Sequence, residues 1–181
     1  EGVSGLTCLV ERDGQEKVPC IVVNKNITVE RRRLTLAHEF GHRLIDDKSP
    51  GVEKLCQRFA GAFLIPADHL RDECGNRRRA MGRDEVLDLK RIYGVSASAL
   101  LVRLEQAGVI SHSALEYAFK RYANRWRKQE PSPMEPDGQL GKNERPTRFK
   151  RLCYRALAEE VISLPKAAEL LMLSTDEIEE K

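Results

Sequence analysis

The chain lacks the features that mark membrane proteins and disulfide-rich secreted proteins. No apolar run approaches the roughly 20 residues that span a bilayer, and no signal peptide opens the chain. The five cysteines are scattered and form no CxxC pair, which argues against a disulfide framework. The net charge is only +3, so charge by itself does not indicate nucleic-acid binding. These absences predict a globular protein with reduced thiols in the cytoplasm.

The length and composition indicate one domain with a small appendage. The chain has 181 residues, of which 41% are hydrophobic and 33% are charged, and it is long enough to bury a core. A stretch rich in proline and glycine predicts a linker over residues 129–147. We therefore expect a main domain over residues 1–128 and a C-terminal helical segment over residues 148–181. The chain begins with Glu1 rather than Met, so we expect it to be part of a longer protein.

Hydrophobic patterning predicts a β-hairpin followed by helices. The turn of the hairpin is indicated by Asp13-Gly14, and Thr28 is the expected N-cap of the first helix. Pro66 closes the second helix, and a short helix is expected after Asp68. The expected strands cover residues 6–12 and 18–24, and the other helices cover residues 29–45, 52–64, 84–93, 96–106, 148–161 and 164–173, with a last one after a Ser174–Glu177 capping box.

The first predicted helix carries an HExxH motif, His38-Glu39-Phe40-Gly41-His42. Two histidines four residues apart lie on one helical face, so their imidazoles can converge on one ion. Zinc binds imidazole nitrogen at about 2.0–2.1 Å and lowers the pKa of a bound water to about 7. Glu39 is rotated about a quarter-turn from His38, so it reaches that water rather than the ion. The motif therefore predicts that His38 and His42 are zinc ligands and that Glu39 is a general base.

A catalytic zinc needs a third protein ligand and one open position. The other histidines are distant in the sequence, so a carboxylate is the better candidate. Glu53 opens the second predicted helix, which can fold back against the first. Asp46 and Asp47 lie closer to the motif helix and suit a role as hydrogen-bond partners of a ligand histidine. Because an acid also favours a helix N-terminus through the helix dipole, spacing alone leaves the role of Glu53 open.

Two stretches of the sequence carry a family resemblance, and the first of them contains the HExxH motif. Residues 33–42 (RLTLAHEFGH) and 53–66 (EKLCQRFAGAFLIP) resemble the ImmA/IrrE family of bacterial zinc metallopeptidases. That family combines an HExxH helix with a following helix of the form E-x-x-[AC]-N-x-F-A-x-x-[LF]-L-x-P, in which Gln57 replaces the usual asparagine here. Residues 93–104 and 108–111 are similar to the next helices of the family, so the resemblance covers about residues 2–111.

The resemblance implies a structure and a chemistry. The fold class is α+β, with a small twisted sheet, a zincin-like HExxH helix, a helical base and a C-terminal helical segment. Glu53 is implied as the third ligand of one catalytic Zn²⁺. The implied activity is site-specific endopeptidase cleavage of a protein, most plausibly a helix-turn-helix transcriptional repressor, in a stress, DNA-damage or mobile-element response.

Other interpretations stay open at this point. A non-proteolytic regulator with a structural zinc would bind DNA or a repressor, and its metal site would be closed by four protein ligands. One partner of a toxin–antitoxin pair is a further alternative. Either would share the motif but not the cleavage reaction.

Two more sets of residues are candidates for binding. Cys56 lies one turn from Glu53, so its thiolate is a candidate fourth ligand that would keep the zinc latent. Basic and aromatic side chains are candidates for nucleic-acid contact, with single-stranded DNA as an activating partner. These candidates are Arg77, Arg78, Arg79, Arg125, Trp126 and Arg127.

Overall fold

We describe the protein from a computed structural model of the full chain. It describes residues 2–11, 14, 16–46, 48, 50–123, 144 and 147–179, without the side chains of residues 122, 123 and 179. The chain divides into two compact units, Glu1–Gly141 and Lys142–Lys181. Several predictions fall outside the described residues, namely most of the linker at 129–147 and the residues Asp13, Asp47, Arg125, Trp126 and Arg127.

The described residues form an α+β fold, which confirms the predicted class. The first unit contains β1 (Gly5–Val10), β2 (Val18–Val23), α1 (Val29–Leu44), α2 (Val52–Leu64), α3 (Ala67–Cys74), α4 (Arg83–Tyr93), α5 (Ala97–Gln106), α6 (His112–Ala118) and a π-helical turn (Phe119–Ala123). The second unit contains α7 (Arg148–Ala158), α8 (Leu164–Leu171) and α9 (Thr175–Glu179). No helix in the described part of the chain is both long and apolar enough to span a membrane.

The strands and the motif helix form where the pattern predicts them. Strands β1 and β2 pair antiparallel, with Gly5 opposite Val23 and Val10 opposite Val18. Both strands pack against α1. Helix α1 begins at the predicted cap, because the Thr28 hydroxyl accepts a hydrogen bond from the Arg31 amide at 3.3 Å. The hairpin therefore leads directly into the helix that carries the HExxH motif.

The structure differs from the predicted helices at several ends. Helix α3 begins at Ala67, because Pro66 takes the N-cap position that we expected at Asp68. Helices α7 and α8 end earlier than predicted, and Glu160 and Met172 follow them with positive φ angles of 56° and 54°. Helix α6 was not predicted, although Ser111 caps it and Ala114, Leu115 and Ala118 follow at helical spacing. The hydrophobic pattern of α6 is only seven residues long, which makes it a weak signal.

The core of the first unit lies among α3, α4, α5 and α6, below the motif helix. It is built mainly of leucine, valine and alanine side chains that are almost fully buried. Its fully buried members include Leu70, Val86, Leu100, Leu101, Leu104 and Val109. Helix α2 packs against α5 of this apolar base.

A buried ion pair ties the motif helix to this base. Glu30 in the first turn of α1 and Lys90 in α4 are 2% and 0% exposed, and Lys90 Nζ donates to Glu30 Oε1 at 3.0 Å. Arg33 adds a second tie by donating to the Gly94 carbonyl at 2.8 Å. Buried charges are stable only when they are paired, so this contact fixes the position of α1 along α4.

Helices α1 and α2 approach each other very closely at Gly41. A Cβ atom placed on Gly41 would lie 3.2 Å from Cys56 Cα and 3.3 Å from Cys56 Cβ. Beside this contact, the rings of Phe40, Phe59 and Phe63 pack with centroids 5.7–6.0 Å apart. The absence of a side chain at Gly41 therefore sets the distance between the two helices.

We expect removal of one partner of the buried ion pair to destabilise the protein strongly. Glu30→Gln leaves the buried Lys90 charge without its carboxylate, and we expect a loss of about 3–5 kcal/mol in urea unfolding. Asp88→Asn is the matched control, because it breaks the exposed Asp88–Arg91 pair of the same unit and should cost less than about 1 kcal/mol. A Glu30→Gln loss no larger than that of the control would contradict the assigned role.

The glycine contact gives a second stability prediction. Gly41→Ala inserts a methyl group against the backbone of α2, and we expect a loss of about 1–3 kcal/mol. Gly61→Ala is the control within α2, because its new Cβ would meet nothing closer than 3.9 Å. That control should be neutral or stabilising by up to about 1 kcal/mol through helix propensity. Thermal unfolding of both variants tests the difference, and equal melting temperatures would count against a close helix contact at Gly41.

Candidate metal centre

Helices α1 and α2 bring three potential metal ligands to one point. His38 Nε2 and His42 Nε2 lie 3.2 Å apart, as expected for positions one helical turn apart. Glu53, in the first turn of α2, places Oε2 at 3.2 Å from His38 Nε2 and Oε1 at 3.3 Å from His42 Nε2. Among the described residues these three form the single cluster of histidine, cysteine and acidic side chains with converging ligand atoms.

The spacing of these atoms fits a zinc ion. Ligands at two corners of a tetrahedron around zinc, with bonds of about 2.0–2.1 Å, lie about 3.3 Å apart. The three measured separations of 3.2–3.3 Å match this edge length. Two imidazole lone pairs and a carboxylate at such distances would repel one another unless a cation or a proton lay between them. The donor set of two histidines and one glutamate is also one that catalytic zinc sites use.

The cluster is open to solvent on one side. The side chains of His38 and His42 are 18% and 14% exposed, whereas that of Glu53 is 75% exposed. The histidines are thus half-buried, whereas the carboxylate is exposed. An ion held by these three residues would therefore be accessible from solvent, unlike the ion of a closed structural site.

Glu39 lies beside the cluster without belonging to it. It lines a cavity of about 280 Å³ together with His38, Glu53 and Gly5 of strand β1. A Cβ on Gly5 would lie 3.6 Å from Glu39 Cγ, so the strand passes directly over this side chain. A carboxylate in this position can exchange a proton with a molecule in the cavity while the other three residues hold an ion.

Asp46, which the sequence suggested as a hydrogen-bond partner of a ligand histidine, contacts a different residue. The exposed Asp46 carboxylate accepts a hydrogen bond from the Lys48 amide at 3.1 Å, which stabilises the turn after α1. His38 Nδ1 is buried and has no hydrogen-bond partner among the described residues. Its Nε2 atom is the one that faces the cluster, so a neutral ring with the proton on Nδ1 presents a lone pair to an ion.

The structure does not bring Cys56 to the cluster, in contrast to its prediction as a fourth ligand. Its side chain is fully buried against Gly41 on the face of α2 that packs on α1. Glu53, three residues earlier, lies at the exposed rim of the same helix. Three residues separate two side chains by about 60° around a helix, which is enough to place one in the interface and the other at its edge.

The basic loop after α3 is not a uniform phosphate-binding surface. Arg78 is half-buried and donates hydrogen bonds to Glu85 Oε2 at 3.0 Å and to the Cys74 carbonyl at 3.1 Å. Its guanidinium therefore anchors the loop to α3 and α4, while Arg77 and Arg79 are exposed.

Two residues near the cluster were not singled out from the sequence as site residues. Arg31 and Gln57 both line the cavity of about 280 Å³ beside Glu39, which we call the metal cavity. Arg31 lies two turns before His38 on α1, and Gln57 lies one turn after Glu53 on α2. Helical spacing from the two motifs would have indicated both positions.

Comparison with known proteins gives a family that agrees with this geometry. Residues 8–105, more than half of the chain, match the family Peptidase_M78, whose description is IrrE N-terminal-like domain. The chain is also 32% identical over 127 residues to the radiation response metalloprotease IrrE of Deinococcus deserti. That alignment covers 58% of this chain and 44% of the Deinococcus protein, so the chain spans less than half of its relative. No solved structure matches the chain significantly.

The family match begins within β1 and contains β2 and helices α1 to α4 entirely, and with them all four residues of the HExxH and Glu53 arrangement. The metalloprotease name of the Deinococcus relative implies a metal, and the cluster described above is where the residues can hold one. The chain is therefore a member of the M78 peptidase family, the family of the IrrE N-terminal-like domain.

Proposed function

We propose that this protein is a zinc-dependent endopeptidase that cleaves a protein partner at a specific site. The observation that carries the proposal is the convergence of His38, His42 and Glu53, whose donor atoms lie 3.2–3.3 Å apart. The carboxylate of Glu39 lies in the adjacent cavity and is not one of the converging ligands. Three protein ligands and an adjacent base are the minimum that hydrolytic zinc chemistry requires.

In this proposal, different residues of the chain have different roles in amide hydrolysis. Bound zinc would supply Lewis acidity, which acidifies a coordinated water and polarises the scissile carbonyl. His38, His42 and Glu53 would hold the ion, with the half-buried histidines fixing its position. Glu39 takes the proton of the attacking water and passes it to the nitrogen of the leaving amine. Strand β1, which lies over Glu39 at Gly5, borders the place where the peptide would lie.

The biological setting of the reaction is part of the proposal. A helix-turn-helix repressor as substrate, and a stress, DNA-damage or mobile-element response, are what the family resemblance implies. The name of the Deinococcus relative, a radiation response metalloprotease, supports a stress context. Single-stranded DNA as an activator and a cytoplasmic location stay predictions.

The alternative is a non-proteolytic regulator whose zinc has a structural role. A structural zinc is normally closed by four protein ligands. The cluster brings together three ligand residues, and its carboxylate is exposed. These two features favour the peptidase over the structural alternative.

Glu39→Gln tests the proposed base. The amide cannot accept the proton of the attacking water, so we expect cleavage of the partner repressor to fall by about 10²–10⁴-fold while zinc content is unchanged. Glu73→Gln, an exposed acid on α3, is the control and should cleave at the wild-type rate. Cleavage products are measured by mass spectrometry, and a Glu39→Gln variant that cuts as fast as the control would remove Glu39 from the mechanism.

Glu53→Ala tests the third ligand separately. Loss of hydrogen-bond partners of a ligand costs about 10–100-fold in metal affinity, so loss of a ligand should cost on the order of 100-fold or more. Zinc affinity is measured by competition with a fluorescent chelator, with Glu116→Ala on α6 as the exposed control. Equal zinc affinities of the two variants would exclude Glu53 as a ligand.

A further inference from the structure

A second cavity adjoins the metal cavity and is not explained by metal binding. It has a volume of about 300 Å³ and shares Arg31, Leu34 and Gln57 with the metal cavity. Because the two cavities have common walls, they lie next to each other on the surface of the first unit. We call it the Arg31–Arg103 pocket, after the two charged residues that line it.

The walls of the Arg31–Arg103 pocket combine apolar and polar surface, and the charges that line it have one sign. Leu34, Val102 and Phe119 contribute apolar surface, and the other neutral residues are small or carry amides and hydroxyls. Among the described residues that line the pocket, no side chain is acidic. The metal cavity differs sharply, because it contains the carboxylates of Glu39 and Glu53.

Two arginines that do not line the pocket, Arg58 and Arg71, add positive charge near Arg103. Arg103 is half-buried, and its Nε atom donates to the Ile65 carbonyl at 2.9 Å, which fixes the guanidinium in place. Burial, together with the charges of Arg58 and Arg71, lowers the pKa of Arg103. A cation that its surroundings disfavour gains from a nearby anion, so the pocket attracts a negatively charged group.

We propose that the Arg31–Arg103 pocket is a substrate subsite that binds an acidic side chain within a few residues of the scissile bond. Guanidinium groups bind carboxylates through short, charge-assisted hydrogen bonds. The apolar walls favour glutamate over aspartate, because the longer side chain buries an additional methylene group. This inference rests on the proposed peptidase function and adds a sequence preference to it.

The test is the cleavage profile of the full-length, zinc-loaded protein on a proteome-derived peptide library. Mass spectrometry of the products gives the enrichment of each residue type at each position around the cleaved bond. We expect glutamate to be enriched about tenfold at one position near the bond, as one charge-assisted hydrogen bond allows. Glu39→Gln is the inactive reference for background cleavage.

Two substitutions probe the pocket from opposite sides. Val102→Glu introduces a carboxylate at the exposed end of the pocket, where it should compete with the substrate and reduce the glutamate enrichment to about one. Arg31 lies in the wall that the pocket shares with the metal cavity, where its Nη2 donates to Ser4 Oγ at 3.4 Å, and Arg31→Gln should reduce the enrichment several-fold by removing this positive charge. Ile92→Glu is the matched control for Val102→Glu, because it places the same charge at an exposed apolar position of α4 outside the pocket and should keep the wild-type profile.

The outcomes separate this inference from the function on which it rests. Wild-type cleavage with no acidic preference, or with the same preference in Val102→Glu as in Ile92→Glu, would overturn the subsite and leave the peptidase intact. A uniform loss of cleavage of all peptides in Arg31→Gln, with folding and zinc content preserved, would also overturn it. Wild-type cleavage no greater than that of Glu39→Gln would overturn the peptidase and the subsite together.

Discussion

The close packing of helix α1 against helix α2 is the constraint on which the site depends. His38 and His42 lie on one helix, so their separation follows from helix geometry alone. Glu53 lies on the other helix, so its oxygens reach the same point only if the helices approach to a particular distance. Gly41 makes that distance possible by leaving no side chain between the backbones. The glycine of the motif thus helps to bring the three potential ligands together through packing.

The rest of the first unit keeps α1 in place from two sides. The hairpin packs on one side of α1, and the buried Glu30–Lys90 pair attaches the start of the helix to α4. A buried ion pair offers little net stability compared with apolar packing, but it is intolerant of displacement because either charge would be left in an apolar environment. Rigid support of this kind suits a site whose donors must hold their positions within about 0.5 Å.

The two adjoining cavities have opposite electrostatic character. The metal cavity contains carboxylates that suit a cation and proton transfer, whereas the Arg31–Arg103 pocket contains arginines and apolar walls. Arg31 lines both cavities, so in the proposed function α1 would connect the chemistry of the site with the selection of a substrate. A protease of limited specificity needs such a division, because the metal centre itself does not distinguish one amide bond from another.

Local patterns in the sequence accounted for the hairpin, the motif helix, the second helix and the pair of histidines, because these depend on contacts within a few residues. Spacing alone left the third ligand open, and the family resemblance was needed to favour Glu53. The tertiary structure decided which face of α2 meets α1, and this turned Cys56 into the interface while Glu53 stayed at the rim. It likewise paired Arg78 with Glu85 and placed Arg31 and Arg103, 72 positions apart in the chain, in the walls of one pocket. Hydrophobic periodicity indicates that a helix has an apolar and a polar face, but the packing of one helix on another decides what each face contacts.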